Sequence, residues 1–413
     1  MRILVLTQYF WPENFRINDV VLGLAERGHE VEVLAGLPNY PTGSFFDGYG
    51  IAGPYRETWR GIRLRRVALI PRGNSSGFRL VLNYLSHAIS ASFAALFYRR
   101  DTFDAILVYE PSPVTIGLPA RVLKARLGVP LLFWVQDIWP ESLSATGMAT
   151  GRLLLNMVDR VVRWIYSGCD RILVQSRAFI APITAQGVPR ASIDYLPNSA
   201  EPFYRRREPL QSDPAATELP IGFRVMFAGN IGAAQDFPTV LAAAELLRED
   251  RHIQWIIIGD GRMKSWVEAE VKARALQATV TLLPPRPAEA MPTYFSHVDV
   301  MLATLRREPI FSYTIPSKLQ SYLACGKAVI AALEGEGARV VEEAGCGWTV
   351  SPEDPQALAD AVRAASKLSR AEVELKGARG AAYFRENFER ELLLGRLEEL
   401  LASAVSGNGG KNG

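Results

Sequence analysis

The chain has 413 residues, 48% of them hydrophobic and 22% charged, with a net charge of only +3. That length exceeds one ordinary core and implies two domains of about 200 residues each, in a composition typical of a soluble globular enzyme rather than a disordered or fibrous protein. The near-neutral balance gives no bulk electrostatic case for a nucleic-acid partner, and three scattered cysteines that share no ligand spacing with the four histidines indicate reducing cytosol and no structural zinc.

The opening MRILVLTQYFWPENF lacks the long apolar core and cleavage site of a signal peptide and reads as a first strand over residues 3–7. A nicotinamide-binding domain would need a glycine-rich turn directly after that strand. Here the first glycine is Gly23, and residues 11–18 are polar and aromatic. Such a turn is either solvated or grips a ligand through side chains, with Glu13, Asn14 and Arg16 as the candidates. Arg27-Gly28-His29-Glu30 reads as a helix stop leading into a second strand at 31–35, so His29 is not assigned chemistry.

Residues 56–100 hold nine arginines against the single acid Glu57, a patch that would attract an anionic surface or substrate. Within it, residues 80–98 (LVLNYLSHAISASFAALFY) carry no charged side chain and are nearly long enough to span a bilayer. Asn83, Ser86, His87, Ser90 and Ser92 argue against spanning, which leaves a buried amphipathic helix or one lying on a membrane surface.

Strands follow at 105–109, 131–135 and 171–175. Directly after the second of these comes Gln136-Asp137-Ile138-Trp139-Pro140-Glu141. Its two carboxylates and tryptophan could orient a hydroxyl nucleophile or stack on a sugar ring. Asp137 as an N-cap with Glu141 on the first helical turn is the structural alternative. Residues 201–220, rich in Pro and Arg and without periodicity, read as a linker.

Alternation resumes with strands at 224–229, 254–259, 280–282, 298–303 and 328–332, so the chain reads as two successive parallel α/β units. In the second unit, FAGNIGAAQ (227–235) and IGDG (258–261) end strands with glycines that let backbone amides approach a ligand, or simply make turns. In IPSKLQSYLACGK (315–327), Ser317 is a candidate N-cap, Gln320 completes a capping box and Gly326 stops the helix. Lys318 then falls in the first turn, where a cation is disfavoured by roughly 0.3–1 kcal/mol unless something negative docks beside it. An ordinary capped helix with a solvated lysine fits the same residues. Taken together the three segments suit a phosphorylated nucleotide. With no Asp-x-Asp to hold a metal, the positive charge would come from Lys318, the helix amides and Arg16, Arg306 or Arg307.

Beyond residue 355 the pattern is wholly helical, near 355–366, 369–384 and 389–404. The expected organisation is a first domain at 1–200, a linker at 201–220, a second domain at 221–385, a helix at 386–405 packing back on the first domain, and a flexible tail at 406–413.

The strings RGHEVEVLAG, PNYPTGSFF, VQDIWPESL, CDRILVQS, YLPNS, FAGNIGAAQ, IGDG and IPSKLQSYLACGKAVIA run nearly end to end. In them the chain resembles retaining nucleotide-sugar glycosyltransferases of the GT-B architecture, family 4. PENFR, GLPNYP and GNIGxAQ together make it most similar to the L-fucosamine transferase type of bacterial O-antigen and capsule assembly. The resemblance implies an α/β fold of two doubly wound Rossmann-like domains facing across a cleft, with C-terminal helices returning toward the first. It further implies a UDP-sugar donor, no cofactor and no metal. Donor contacts would come from Gly229, Asn230, Gly232, Gln235, Gly259, Asp260, Gly261, Tyr313, Pro316, Ser317, Gln320 and Ser321. Glu13, Asn14, Arg16, Asn39, Trp139 and Glu141 would face acceptor or sugar, and Asp137 and Lys318 would act in catalysis.

The chain departs from the family pattern at several places. Tyr313 and Ser321 stand where most members carry paired glutamates, Asn230 and Gln235 where they carry Arg and Lys, and Gln136 where a histidine is common. The expected activity is metal-independent, retaining transfer of an N-acetylated amino- or deoxyamino-hexose to a lipid-linked saccharide of lipopolysaccharide or capsule, in the cytoplasm at the inner face of the plasma membrane. A nucleotide-sugar epimerase of the same architecture and a non-catalytic UDP-sugar-binding subunit are the alternatives.

Overall fold

The computed structural model describes residues 1–73, 77–145 and 151–409, which form two compact units, Met1–Pro197 with Leu393–Gly413 and Asn198–Leu392.

In the first unit the strands are β1 (Arg2–Thr7), β2 (Glu30–Gly36), β3 (Arg56–Trp59), β4 (Ile62–Val67), β5 (Ala105–Glu110), β6 (Leu131–Val135), β7 (Arg171–Val174) and β8 (Ile193–Tyr195). Its helices are α1 (Arg16–Glu26), α2 (Gly77–Ala95), α3 (Gly117–Leu127), α4 (Glu141–Ala145), α5 (Arg152–Tyr166) and α6 (Ile180–Ala185). The sheet order is β3-β4-β2-β1-β5-β6-β7-β8, parallel except for the edge pair β3–β4. β1, β5 and β6 are continuous apolar runs because helices cover both faces of a parallel sheet, and all but Arg2 in them are buried. Ile3 of β1 is in register with Val31 on one side and Ala105 on the other.

β3, β4 and β8 escape the sequence reading. Ile62, Leu64 and Val67 point inward while Arg63 is exposed. The arginines between them make β4 read as a basic surface. Arg66 belongs to the interior instead: its guanidinium is fully buried and bonds Glu57 at 2.6 Å, the Gly36 carbonyl at 3.2 Å and the Trp11 carbonyl.

α2 buries Leu80, Asn83, His87, Ala88 and Ala91. Two of the polar residues that argue against spanning, Asn83 and His87, thus face the domain rather than solvent. The opposite face leaves Phe78, Val81, Leu85, Ile89 and Phe93 exposed at helical spacing. Among the described residues no helix is long and apolar enough to cross a membrane.

The second unit holds β9 (Phe223–Ala228), β10 (Ile253–Ile258), β11 (Val280–Leu283), β12 (Val300–Thr304), β13 (Ala328–Ala332) and β14 (Gly347–Val350), in the parallel order β11-β10-β9-β12-β13-β14. Its helices are α7 (Pro214–Glu218), α8 (Phe237–Leu246), α9 (Lys264–Ala273), α10 (Met291–Ser296), α11 (Pro309–Ser312), α12 (Ser317–Ala324), α13 (Glu336–Ala344), α14 (Pro355–Ser366) and α15 (Arg370–Asn387). The two faces of each strand alternate as the period of two requires. Val225 and Phe227 join Trp255 and Ile257 in a core under α8 and α14, whereas Met226 and Ala228 join Ile256 and Ile258 under α10 and α12.

The segment read as a linker is not free of structure. α7 lies within it, and Ala215 and Leu219 are buried in the second core. The last helix, α16 (Arg390–Gly409), sets Leu393, Leu397 and Leu401 one turn apart into the core of the first unit. Residues 406–409, expected in a flexible tail, are its final turn despite Gly407; 410–413 lie outside the described residues.

Candidate functional site

In the second unit a cavity of about 280 Å3 opens at the carboxyl ends of β9 and β10. Its backbone wall is built from glycines. Gly229 N–H donates to the Ile258 carbonyl (2.9 Å), and Ile231 N–H to the Asp260 carbonyl (2.7 Å), so the loops after the two strands are zipped together. A Cβ on Gly259 would stand 1.8 Å from the Gly229 oxygen, and one on Gly261 2.3 Å from the Ile231 oxygen. Only glycine allows that approach. Asp260 turns its carboxylate onto the Gly261 amide at 2.8 Å.

Across this wall stands Lys318, the second residue of α12. Its Nζ is shielded from solvent, lies 3.8 Å from the centre of the Phe227 ring and has no hydrogen-bond partner. Burial lowers its pKa to about 7. A Cβ on Gly229 would be 3.9 Å from the amine, which places the ammonium directly beside the glycine wall. The start of α12 differs from expectation. Pro316, not Ser317, is the N-cap, no side chain caps the helix, and Gln320 is drawn away to donate to the Asn198 carbonyl at 2.5 Å. Proline has no side-chain acceptor to offer, so the first amides of α12 are left without a side-chain cap.

The remaining walls are apolar and aromatic. Phe295 packs edge-on against Tyr322 (5.4 Å) and is stacked with Tyr204 (6.1 Å), while the Tyr322 hydroxyl donates to the Ala228 carbonyl at 3.2 Å. Arg286, from the loop after β11, also lines the cavity; it pairs with Glu218 at 2.7 Å and keeps a buried Nε without a partner. Sequence reasoning missed it. The signal was an arginine in the proline-rich run Pro284-Pro285-Arg286-Pro287 just beyond a strand end.

Of the expected donor residues, Gly229, Asn230, Gly259, Asp260 and Ser321 line this cavity, as does Lys318, expected in catalysis. Gly232, Gln235, Gly261, Tyr313, Pro316, Ser317 and Gln320 do not. Gln235 is spent on the Gly232 amide of its own turn (3.1 Å), and Tyr313 ends α11. Arg306 and Arg307 stand elsewhere, held near Glu353 (3.7 Å) and Glu334 (3.3 Å).

The first unit gathers a different set at the ends of β1, β5 and β6. Glu13 is buried, and its carboxylate accepts the amides of Asn39 and Tyr40 (both 2.8 Å) and Phe10 (3.1 Å). Burial raises its pKa to about 7 against the pull of those amides. It fastens two loops rather than facing a ligand. Asn39 is equally committed, through the Arg72 amide and the Asn83 side chain. Trp139 is buried, its carbonyl accepting from Gln186 at 2.6 Å, so it offers no exposed ring to a sugar. Asn14 is exposed, Arg16 opens α1, and Glu141 opens α4 half-buried.

Asp137 is raised by burial to about 7. Beside it is a residue the sequence did not single out, Glu110, the last of β5. Glu110 is fully buried, and its oxygens make no well-formed hydrogen bond. Burial first, then the charge of Asp137, push its pKa well above the carboxylate range, and the amides of Asp137 and Gln136 offset this only in part. Asp137 also acts on the half-buried Tyr84 and the buried Tyr109, both raised chiefly by burial. The apolar run AILVY reads as the whole strand, so the acid that ends it passes for the first residue of a loop. Among the described residues no group of three or more His, Cys, Asp or Glu is placed to hold a metal ion.

Residues 14–199 match the family described as glycosyl transferase 4-like domain, and residues 222–367 match glycosyl transferases group 1. The chain is 28% identical over 302 residues to the probable glycosyltransferase WbjE of Pseudomonas aeruginosa, covering 70% of this chain and 72% of that one. It is 27% identical over 384 residues to the putative colanic acid biosynthesis glycosyl transferase WcaI of Escherichia coli (strain K12), covering 89% and 93%. Among solved structures, Anabaena Alr3699/HepE in complex with UDP and glucose matches with a TM-score of 0.70 at 15% identity over 98% of this chain and 100% of that one. The sucrose-phosphate synthase of Thermosynechococcus elongatus matches with a TM-score of 0.74 at 16% identity over 98% and 99%.

Proposed function

We propose, for a chain that belongs to the GT-B glycosyltransferases through its 4-like and group 1 domains, that it moves a sugar from a UDP-sugar to a lipid-linked saccharide in bacterial surface-polysaccharide biosynthesis. The sugar is an N-acetylated amino- or deoxyamino-hexose, as the L-fucosamine transferase type would use. The observation that carries this reading is the Lys318 ammonium, buried, unbonded and aimed at a glycine wall. An unpaired buried cation is unfavourable alone and favourable once a diphosphate lies against it.

Bond breaking in such a transfer leaves negative charge on the departing UDP. Lys318, the uncapped amides of α12 and the rim residue Arg286 would stabilise that charge, so no metal is needed; donors placed in advance of the charge they meet supply most of the rate enhancement in many enzymes of this kind. In the first unit Asp137, near neutrality in its pKa, would receive the acceptor hydroxyl's proton. The configuration at the transferred carbon is retained.

The exposed stripe on α2, with Leu153, Leu154, Met157 and Trp164 on α5 and the arginines of both segments, supports a peripheral seat on an anionic bilayer. Flotation with anionic liposomes tests it: Ile89→Ser with Phe93→Ser is expected to release the protein, as is replacing Arg63, Arg99 and Arg100. For the reaction, UDP release is followed with donor alone and with donor plus a lipid-linked acceptor extract, in the presence of chelator. Release only with acceptor supports transfer. Conversion of the donor without acceptor would mean an epimerase, and binding without turnover a non-catalytic subunit.

A further inference from the structure

The second unit holds another cavity, of about 310 Å3, at the opposite ends of its strands. It is walled by the amino ends of β9, β12 and β13, by α15 and by the chain around residues 206–211. Five cations line it, Arg206, Arg207, Arg224, Lys327 and Arg370, against the three acids Glu208, Asp299 and Glu374. The acids are already engaged. Asp299 accepts the Arg224 amide at 2.7 Å, Glu374 pairs with Arg370 at 2.7 Å, and Glu208 lies 3.7 Å from Arg206.

Arg207 pairs with Asp213, outside the lining, at 2.8 Å, which leaves two cations not neutralised in this way. Arg224 sends its guanidinium N–H groups to the carbonyls of Pro220 (2.6 Å), His297 (2.7 Å) and Leu219 (3.4 Å), which hold it without cancelling its charge. Lys327 follows the end of α12, and its ammonium forms no hydrogen bond or ion pair among the described residues. Burial lowers its pKa, against the opposing pull of Asp299 and Glu374.

We infer that this cavity is a second ligand site, for a phosphorylated metabolite the size of a hexose monophosphate, with the phosphate between Lys327 and Arg370 and the polar body of the molecule toward Arg206. Ligand pockets begin at roughly 300 Å3, which leaves room here for more than inorganic phosphate. A net positive lining that includes an amine bonded to no group among the described residues suits a dianion whose oxygens can take charge-assisted hydrogen bonds. The two cavities share α12: Lys318, Ser321 and Tyr322 face the first, while Cys325 and Lys327, just past the helix end, face the second.

Glucose 1-phosphate, titrated calorimetrically into the full chain carrying Lys318→Met, tests the inference without interference from the cation of the first cavity. One molecule per chain is expected to bind. Adding Lys327→Met, or separately the exposed Arg370→Gln, is expected to weaken that binding at least about tenfold through the loss of a charge-assisted contact. No binding to the Lys318→Met chain, or binding indifferent to both added substitutions, overturns it. The Arg370→Gln arm keeps the test decisive if replacing the more buried Lys327 impairs folding.

Discussion

The Lys318 amine faces the ring of Phe227 at 3.8 Å and meets no carboxylate. Burial alone sets its pKa near 7, so at neutral pH the free protein holds this group about half protonated. A diphosphate favours the charged form and draws a proton in on binding. UDP affinity is therefore expected to fall as pH rises above about 7, approaching tenfold per pH unit, the limit for one linked proton. Calorimetry in buffers of different ionisation enthalpy should count that proton at pH 8, and Lys318→Met should abolish it.

The same lysine acts on stability with a definite sign. Its folded pKa is below the unfolded value, so between about 7 and 10.5 the unfolded chain binds more protons and stability rises with pH; below about 7 the penalty is complete. Lys318→Met is expected to raise the melting temperature by several degrees at pH 6 and to lose that advantage toward pH 10. A lower melting temperature for the variant at pH 6 would show that the ammonium is paired.

Asp137 titrates in the opposite sense. Its folded pKa is raised to about 7, so between about pH 4 and 7 the native chain binds the extra proton and stability falls as pH rises, the penalty being complete above about 7. Asp137→Asn should melt higher than the parent at pH 8 and equal to it below pH 4. The plot of kcat/KM against pH should peak near 7, with the acid limb from Asp137 and the basic limb from Lys318. Asp137→Asn should cut turnover by about a hundredfold or more, within the usual range for a general base, and leave UDP binding unchanged.

Gly259→Ala should destroy donor binding while the chain stays folded, because the added carbon would collide with the Gly229 carbonyl at 1.8 Å and part the two loops. Gly229→Ala meets only the end of Lys318 at 3.9 Å but must hold φ near +131°. It should weaken UDP less than Gly259→Ala, a ranking that equilibrium binding can check.

Strands that read from sequence are those whose apolar runs are unbroken, such as β1, β6 and β10. β4 did not, since Arg63, Arg65 and Arg66 interrupt the run and one of them is buried by pairing with Glu57. Lys318 was legible because a cation in a first helical turn contradicts local electrostatics. Its cap was misread because Pro316 and Ser317 both suit a helix start and only the backbone decides between them. Glu110 and Arg286 gave no comparable local contradiction. Their significance comes from neighbours far along the chain, Asp137 for one and Glu218 for the other.

α16 places Leu393, Leu397 and Leu401 into the core of the unit otherwise built from residues 1–197. Synthesis runs in one direction and domains ordinarily fold as they emerge. The core of the first unit is therefore complete only once Leu393, Leu397 and Leu401 have been made. The trailing unit, built from one continuous stretch, carries no such delay.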